Sequence, residues 1–197
     1  MTMNPYASFS QRFFALLIDG LIFLPLGLGS EWLESGSKGF AFALGNPLIF
    51  AGVAYEIYCH GKYGRTIGKR VMGIRLSRVD GAAIGWRESW LRSSMQLLFV
   101  TLSFIGMNVA LMTITDADYY VPGWLDRTKN LLAHYPSWLS WTSTASSIWF
   151  WSELIVMLCN RRRRSLHDFI AGTVVVADNR VSPPDTGTLE SPSSNPA

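Results

Sequence analysis

Charge is what this chain has least of. Asp, Glu, Lys and Arg make up 16% of its 197 residues, against roughly 25% in a typical soluble domain. That deficit, beside 49% hydrophobic residues, excludes an ordinary water-exposed globule. Cysteine is scarce too. Cys59 and Cys159 each end an apolar run expected on the cytoplasmic side, where thiols stay reduced, which argues against a structural disulfide. Together with His60 and His167 they are of metal-ligand type, but their spacing matches no compact ligand motif, so no metal is expected. The start, MTMNPYASFSQR, has one positive charge and no small-residue cleavage site after a short apolar core. The first apolar stretch is therefore expected to stay as an anchor. GRTIGKR fails as a phosphate loop: Gly64 to Gly68 leaves three intervening residues instead of four, and Arg70 replaces the magnesium-binding hydroxyl. Ser165, His167 and Asp168 lie too close in sequence to converge as a triad on one short helix. The expectation is no enzyme, no cofactor and no nucleic-acid partner.

What the chain does have is long apolar runs. Four candidate spans read at 13–29, 40–59, 95–115 and 138–159. At about 1.5 Å per residue, the first covers roughly 25 Å, most of a bilayer core of about 30 Å. The second is broken near its start by Gly45-Asn46-Pro47, where proline removes a hydrogen bond and should kink or loosen the helix. The third has Asn108 as its strongest polar group, and the fourth is weakened by TSTASS. The fold expected is an all-α transmembrane four-helix bundle over residues 1–177, with a disordered tail at 178–197.

Between spans two and three lies a basic segment, 60–94, with eight cations, among them Arg65, Lys69, Arg70 and Arg75. Its glycines oppose one long helix, and Asp80-Gly81 between VMGIRLSRV and AAIGW signals a small hairpin. Trp86 and Trp90, four apart, suit a short helix on the membrane surface. The segment's cations are expected to contact anionic lipid, each contributing about 1 kcal/mol. Residues 116–137 read as a loop with Tyr119, Tyr120, Trp124 and Tyr135 as interface anchors, and 165–177 as a short interfacial helix. Counting cations on a four-span layout puts fourteen on one side and three on the other. The positive-inside rule then places both termini in the cytoplasm.

Arg12 and Asp19, seven residues apart, share one helix face, with Asp19 roughly 10 Å deeper than the arginine. An ionisable group at that depth costs about 2.5 kcal/mol or more and faces protein or water. Asp19, Glu56, Glu153 and Asp168 all map to the cytoplasmic half. Two readings stay open for them: an ion or proton site, or ion pairs that fix the bundle's register. Asp168 has a further one, since Ser165-Leu-His-Asp fits a capping box with Gly172 ending the helix.

RFFALLIDGL, AYEIYCHGKYGRTIGKRVMGIRLSRVDG and RRRRSLHDFIAGTVVV, in that order, resemble the RDD family of bacterial membrane proteins, named for one arginine and two aspartates. The resemblance runs from about Ser8 to Val176. It implies a multi-pass protein of the bacterial inner membrane with a transport role, sodium–proton antiport in some relatives, and it carries over Arg12, Asp19 and Asp168. The expected function is ion or small-solute translocation, with Asp19 as the buried acid and Arg12 its partner. The small size calls for a homo-oligomer. The alternative is a non-transporting membrane assembly protein that docks on lipid or another subunit.

Overall fold

The computed structural model of the chain describes residues 6–178. Ser8 sets the start of the first helix. Its hydroxyl accepts from the Gln11 amide (3.2 Å) while the Gln11 side chain accepts from the Ser8 amide (2.8 Å), a reciprocal cap. Helix α1 then runs Phe9–Gly36, through Pro25. It outreaches the expected 13–29 at both ends, because the cap precedes the apolar run and the polar turn around Glu31 and Glu34 stays helical.

The second span is not one uniform helix. It comprises α2 (Lys38–Phe40), a π-helical turn at Ala41–Gly45, a 3-10 turn at Asn46–Ile49 and α3 (Phe50–Tyr63). The change of winding falls on Gly45-Asn46-Pro47, as the missing proline N–H requires. Gly64, at φ 69°, ends α3 in the left-handed conformation that glycine permits.

Thr66 caps α4 (Ile67–Val71), and β1 (Ile74–Arg78) follows. The expected local hairpin is corrected here. The turn at Asp80-Gly81 forms, with the Arg78 amide donating to the Ala82 carbonyl (2.9 Å), but residues beyond it leave the sheet. The partner of β1 is β2 (Thr173–Ala177), antiparallel, with Leu76 opposite Val175. The fold is therefore not purely helical.

Helix α5 runs Trp86–Thr113. There is no separate surface helix at Trp86 and Trp90: Glu88 accepts from the Gly85 amide (2.9 Å) and starts the long helix there. The expected loop at 116–137 contains α6 (Asp116–Tyr119) and α7 (Trp124–Ala133). Tyr119 is not an interface anchor. It is 2% exposed, and its hydroxyl donates to the Glu34 carbonyl at the end of α1 (2.8 Å). Helix α8 (Trp138–Cys159) is unbroken by its serines and threonines. Thr142, Thr144, Ser146, Ser147 and Ser152 donate back to carbonyls three or four residues earlier, so the hydroxyls are satisfied inside the helix. The expected interfacial helix at 165–177 is half helix, α9 (Leu166–Ala171), and half strand, β2. Asp178, the first residue of the expected tail, is buried, with its amide donating to the Gly73 carbonyl (2.8 Å). Residues 179–197 lie outside the described residues.

Three helices, Phe9–Gly36, Lys38–Tyr63 and Trp86–Thr113, are long and apolar enough to cross a membrane. Only 6% of the apolar window of α1 is buried, an outward apolar face that suits lipid and not water. The packed cores lie near the ends of α1. One joins Ala15 to Ile74, Leu76 and Val175 of the sheet, and the other joins Leu111 and Ile114 to Tyr119.

Candidate functional site

Arg12 stands one turn into α1, placed there by the Ser8 cap. Its partner is Asp168 on α9, not Asp19: Arg12 Nη1 lies 2.8 Å from Asp168 Oδ2, and Arg12 Nη2 donates to the Arg163 carbonyl (2.6 Å). Arg92 on α5 pairs with the other oxygen, Asp168 Oδ1. Ser165 (amide 3.1 Å, hydroxyl 3.0 Å) and Thr173 (hydroxyl 3.1 Å) complete the shell. Asp168 is 0% exposed. Burial alone would push its carboxyl up, but Arg92, His167 and Arg12 outweigh burial and hold it well below the ordinary carboxylate range. The capping role of Asp168 and its ion pair with Arg12 thus coexist.

Asp19 does a different job. One of its oxygens accepts from the Tyr55 hydroxyl (2.8 Å) and the Gly68 amide (2.8 Å), and the other from the Thr66 hydroxyl (2.6 Å). The carboxylate therefore docks the start of α4 onto α1. Gly68 is needed there because a side-chain carbon would run into the Ala15 carbonyl.

Between α1, α3, α5 and α8 lies a cavity of about 640 Å³. Its lining includes the carboxylates Asp19, Glu56 and Glu153 and the cations Arg12, Lys69 and Arg92. His60 and His167 line it as well. The structure thus gathers the sequence-predicted carboxylates, with Asp168 just behind the wall. His167 Nδ1 lies 2.6 Å from Glu153 Oε1, and His167 Nε2 lies 2.9 Å from the Ser165 hydroxyl. Ser165 and His167 meet, but not as a triad with Asp168: the acid on His167 is Glu153 from another helix. Ser165 remains a helix cap, shared with Asp168, so the line Glu153–His167–Ser165–Asp168 forms a hydrogen-bonded path from cavity to charge cluster.

Lys69 Nζ lies 3.0 Å from His60 Nε2. Burial pulls the Lys69 ammonium down to about 8, opposed by Glu56 and Asp19 and reinforced by Arg92 and Arg12. An unfolded lysine titrates near about 10.4. Between these values the unfolded chain holds more protons than the folded one, so stability through this group rises with pH across that window. Melting curves of detergent-purified protein should show the wild type gaining on Lys69→Met as pH rises from about 8 to about 10. A gap that stays constant would contradict the buried ammonium.

The basic segment is less available than its composition implies. Arg65 and Arg75 both pair with Asp178 and Lys69 lines the cavity, which leaves Arg70 the exposed one of the four. Arg92 went unrecognised as a site residue because it reads as one cation among eight. The signal was its position inside WLRSSMQLLF, an arginine entering an apolar run. Cys59 and Cys159 are free thiols, and no metal-binding cluster of His, Cys, Asp and Glu occurs among the described residues.

No curated protein and no solved structure matches the chain. The sequence profile of the RDD family matches residues 6–172.

Proposed function

Because the chain belongs to the RDD family, we propose that it is a multi-pass inner-membrane protein that moves an ion or small solute, coupled to protons, through the cavity between α1, α3, α5 and α8. The observation that carries this reading is the grouping of Glu56, Lys69, Glu153 and His167 on one cavity. Intramembrane ionisable groups are costly and mark ion or proton pathways by default.

The chemistry follows from how the charges are engaged. Asp168 and Asp19 are saturated with donors and hold elements together. The proton-exchanging role expected of Asp19 passes to the Glu153–His167 pair. The carboxylate and the imidazole lie 2.6 Å apart, a hydrogen bond along which a proton passes in this reading, and a cation arriving beside Glu153 competes with His167 for that carboxylate. Helix α8 is the fourth span in this reading. Its 22 residues extend about 33 Å, and its satisfied hydroxyls lower the cost of crossing lipid. Both termini and the arginine run 161–164 then lie on the cytoplasmic side. Four spans leave little room for alternating access in one chain, which favours a homo-oligomer.

The test is flux. Vesicles containing the purified protein and an internal pH dye are given sodium or potassium gradients. Wild type should exchange protons for one cation, and Glu153→Gln and His167→Gln should each reduce that exchange at least tenfold while still folding. No flux from wild type at adequate density would favour the second reading, a membrane assembly protein. The observation on that side is the exposure of Arg70, Arg161 and Arg162 as a docking surface for lipid or a partner subunit.

A further inference from the structure

Along α5 and α8 the cavity lining passes from charged, at Arg92 and Glu153, to apolar, at Phe99, Val100, Trp149 and Phe150. Phe13 and Leu16 of α1, Phe99 and Val100 of α5, and Trp149 and Phe150 of α8 form its apolar walls. Leu16 is 56% exposed and Phe150 58% exposed, and the cavity they line is open and not enclosed. The cavity therefore opens sideways, between α1 and α8. With the apolar faces of these helices in lipid, that opening meets acyl chains, and whatever enters comes from the bilayer.

The charged end sets the head group. Arg12 and Arg92 are committed to Asp168, Glu153 to His167, and Asp19 to its three donors. Two charges remain open. The Glu56 carboxylate makes neither hydrogen bond nor ion pair among the described residues, though it faces Lys69 electrostatically, and the Lys69 ammonium has one hydrogen bond, to His60. Facing each other, the two offset one another's charge, and a ligand with a single charge would engage only one of them. A head carrying both signs satisfies the two together. The wall is also of a size and character usual for small-molecule sites, mostly apolar with a few placed polar groups.

We propose that this cavity binds a zwitterionic amphiphile drawn from the bilayer, its ammonium on Glu56 and its phosphate on Lys69, with the tails in the slot between α1 and α8. The inference rests on the cavity proposed above as the translocation site, and it names an amphiphile that this site holds beside the cation it exchanges.

Native mass spectrometry of the full chain, purified in detergent, tests this by binding alone. The probes are phosphatidylethanolamine, phosphatidylglycerol with the same tails, and glycerophosphoethanolamine, which has the head without the tails. The expected result is one phosphatidylethanolamine retained per chain, favoured at least tenfold over phosphatidylglycerol and not displaced by glycerophosphoethanolamine. Glu56→Gln should weaken retention at least tenfold. So should Leu16→Trp, which narrows the slot at an exposed position where folding is not at stake. Equal retention of the anionic lipid, displacement by the tailless head, or retention unchanged in both variants would overturn the proposal. The two failures are separable. Lipid retention without cation flux removes transport and keeps the ligand, and cation flux without retention does the reverse.

Discussion

Gly68→Ala is expected to lift α4 off α1 and cost on the order of 2–3 kcal/mol, the upper part of the range for overpacking. The added methyl would meet the carbonyl of Ala15 and come within 2.9 Å of the Asp19 carboxylate carbon. Neither is free to yield. The carbonyl belongs to helical backbone, and the carboxylate is held by Tyr55, Thr66 and the Gly68 amide itself. The substitution thus strains the contact and breaks a hydrogen bond in one step. Thermal melts of purified protein give the check, with Gly20→Ala as the comparison. Gly20 has open space on α1, and alanine there should stabilise by up to about 1 kcal/mol through helix propensity. If Gly68→Ala melts no lower than wild type, α4 is not docked through this glycine.

How much of this was legible beforehand depends on the range over which each signal acts. Local signals read well. The Ser165-to-Asp168 box, the Gly172 terminator and the disturbed winding at Gly45-Asn46-Pro47 each depend on a few neighbouring residues, and each appears where the spacing placed it. Partners across the chain did not read. The alternation in IRLSR marks a strand, but nothing nearby says that its mate is TVVVA almost a hundred residues later. Arg12 and Asp19 share a helix face, and that proximity made them look paired. Arg12 instead reaches Asp168 across 156 positions of sequence, a contact set by the packing of α9 against α5 and not by any periodicity. The three positions carried over from the resemblance each have partners in the fold, and which partners those are was not legible in the sequence. Asp19 anchors α4, whereas Arg12 and Asp168 join α1 to α9.

Asp168 is an ionised knot between Arg12 and Arg92. Asp168→Asn should then be the most damaging single change in the chain. It retains the shape and a cap for α9 but leaves two guanidinium groups, each about one-tenth exposed or less, without a counter-charge. Breaking a buried pair from one side costs roughly 3–5 kcal/mol. The pH dependence has a definite sign. Because the folded carboxyl titrates well below the unfolded one, its contribution is fully present above about pH 4 and is lost as pH falls through the folded value. At neutral pH the site does not titrate, so it cannot serve as the exchanging acid.

The decisive measurement is the melting temperature of detergent-purified wild type, Asp168→Asn and Asp168→Asn/Arg92→Met at neutral pH. The account predicts a steep loss in the single variant, or no monodisperse protein at all, and partial recovery in the double variant as one stranded charge is removed. An Asp168→Asn protein that melts with the wild type would contradict it.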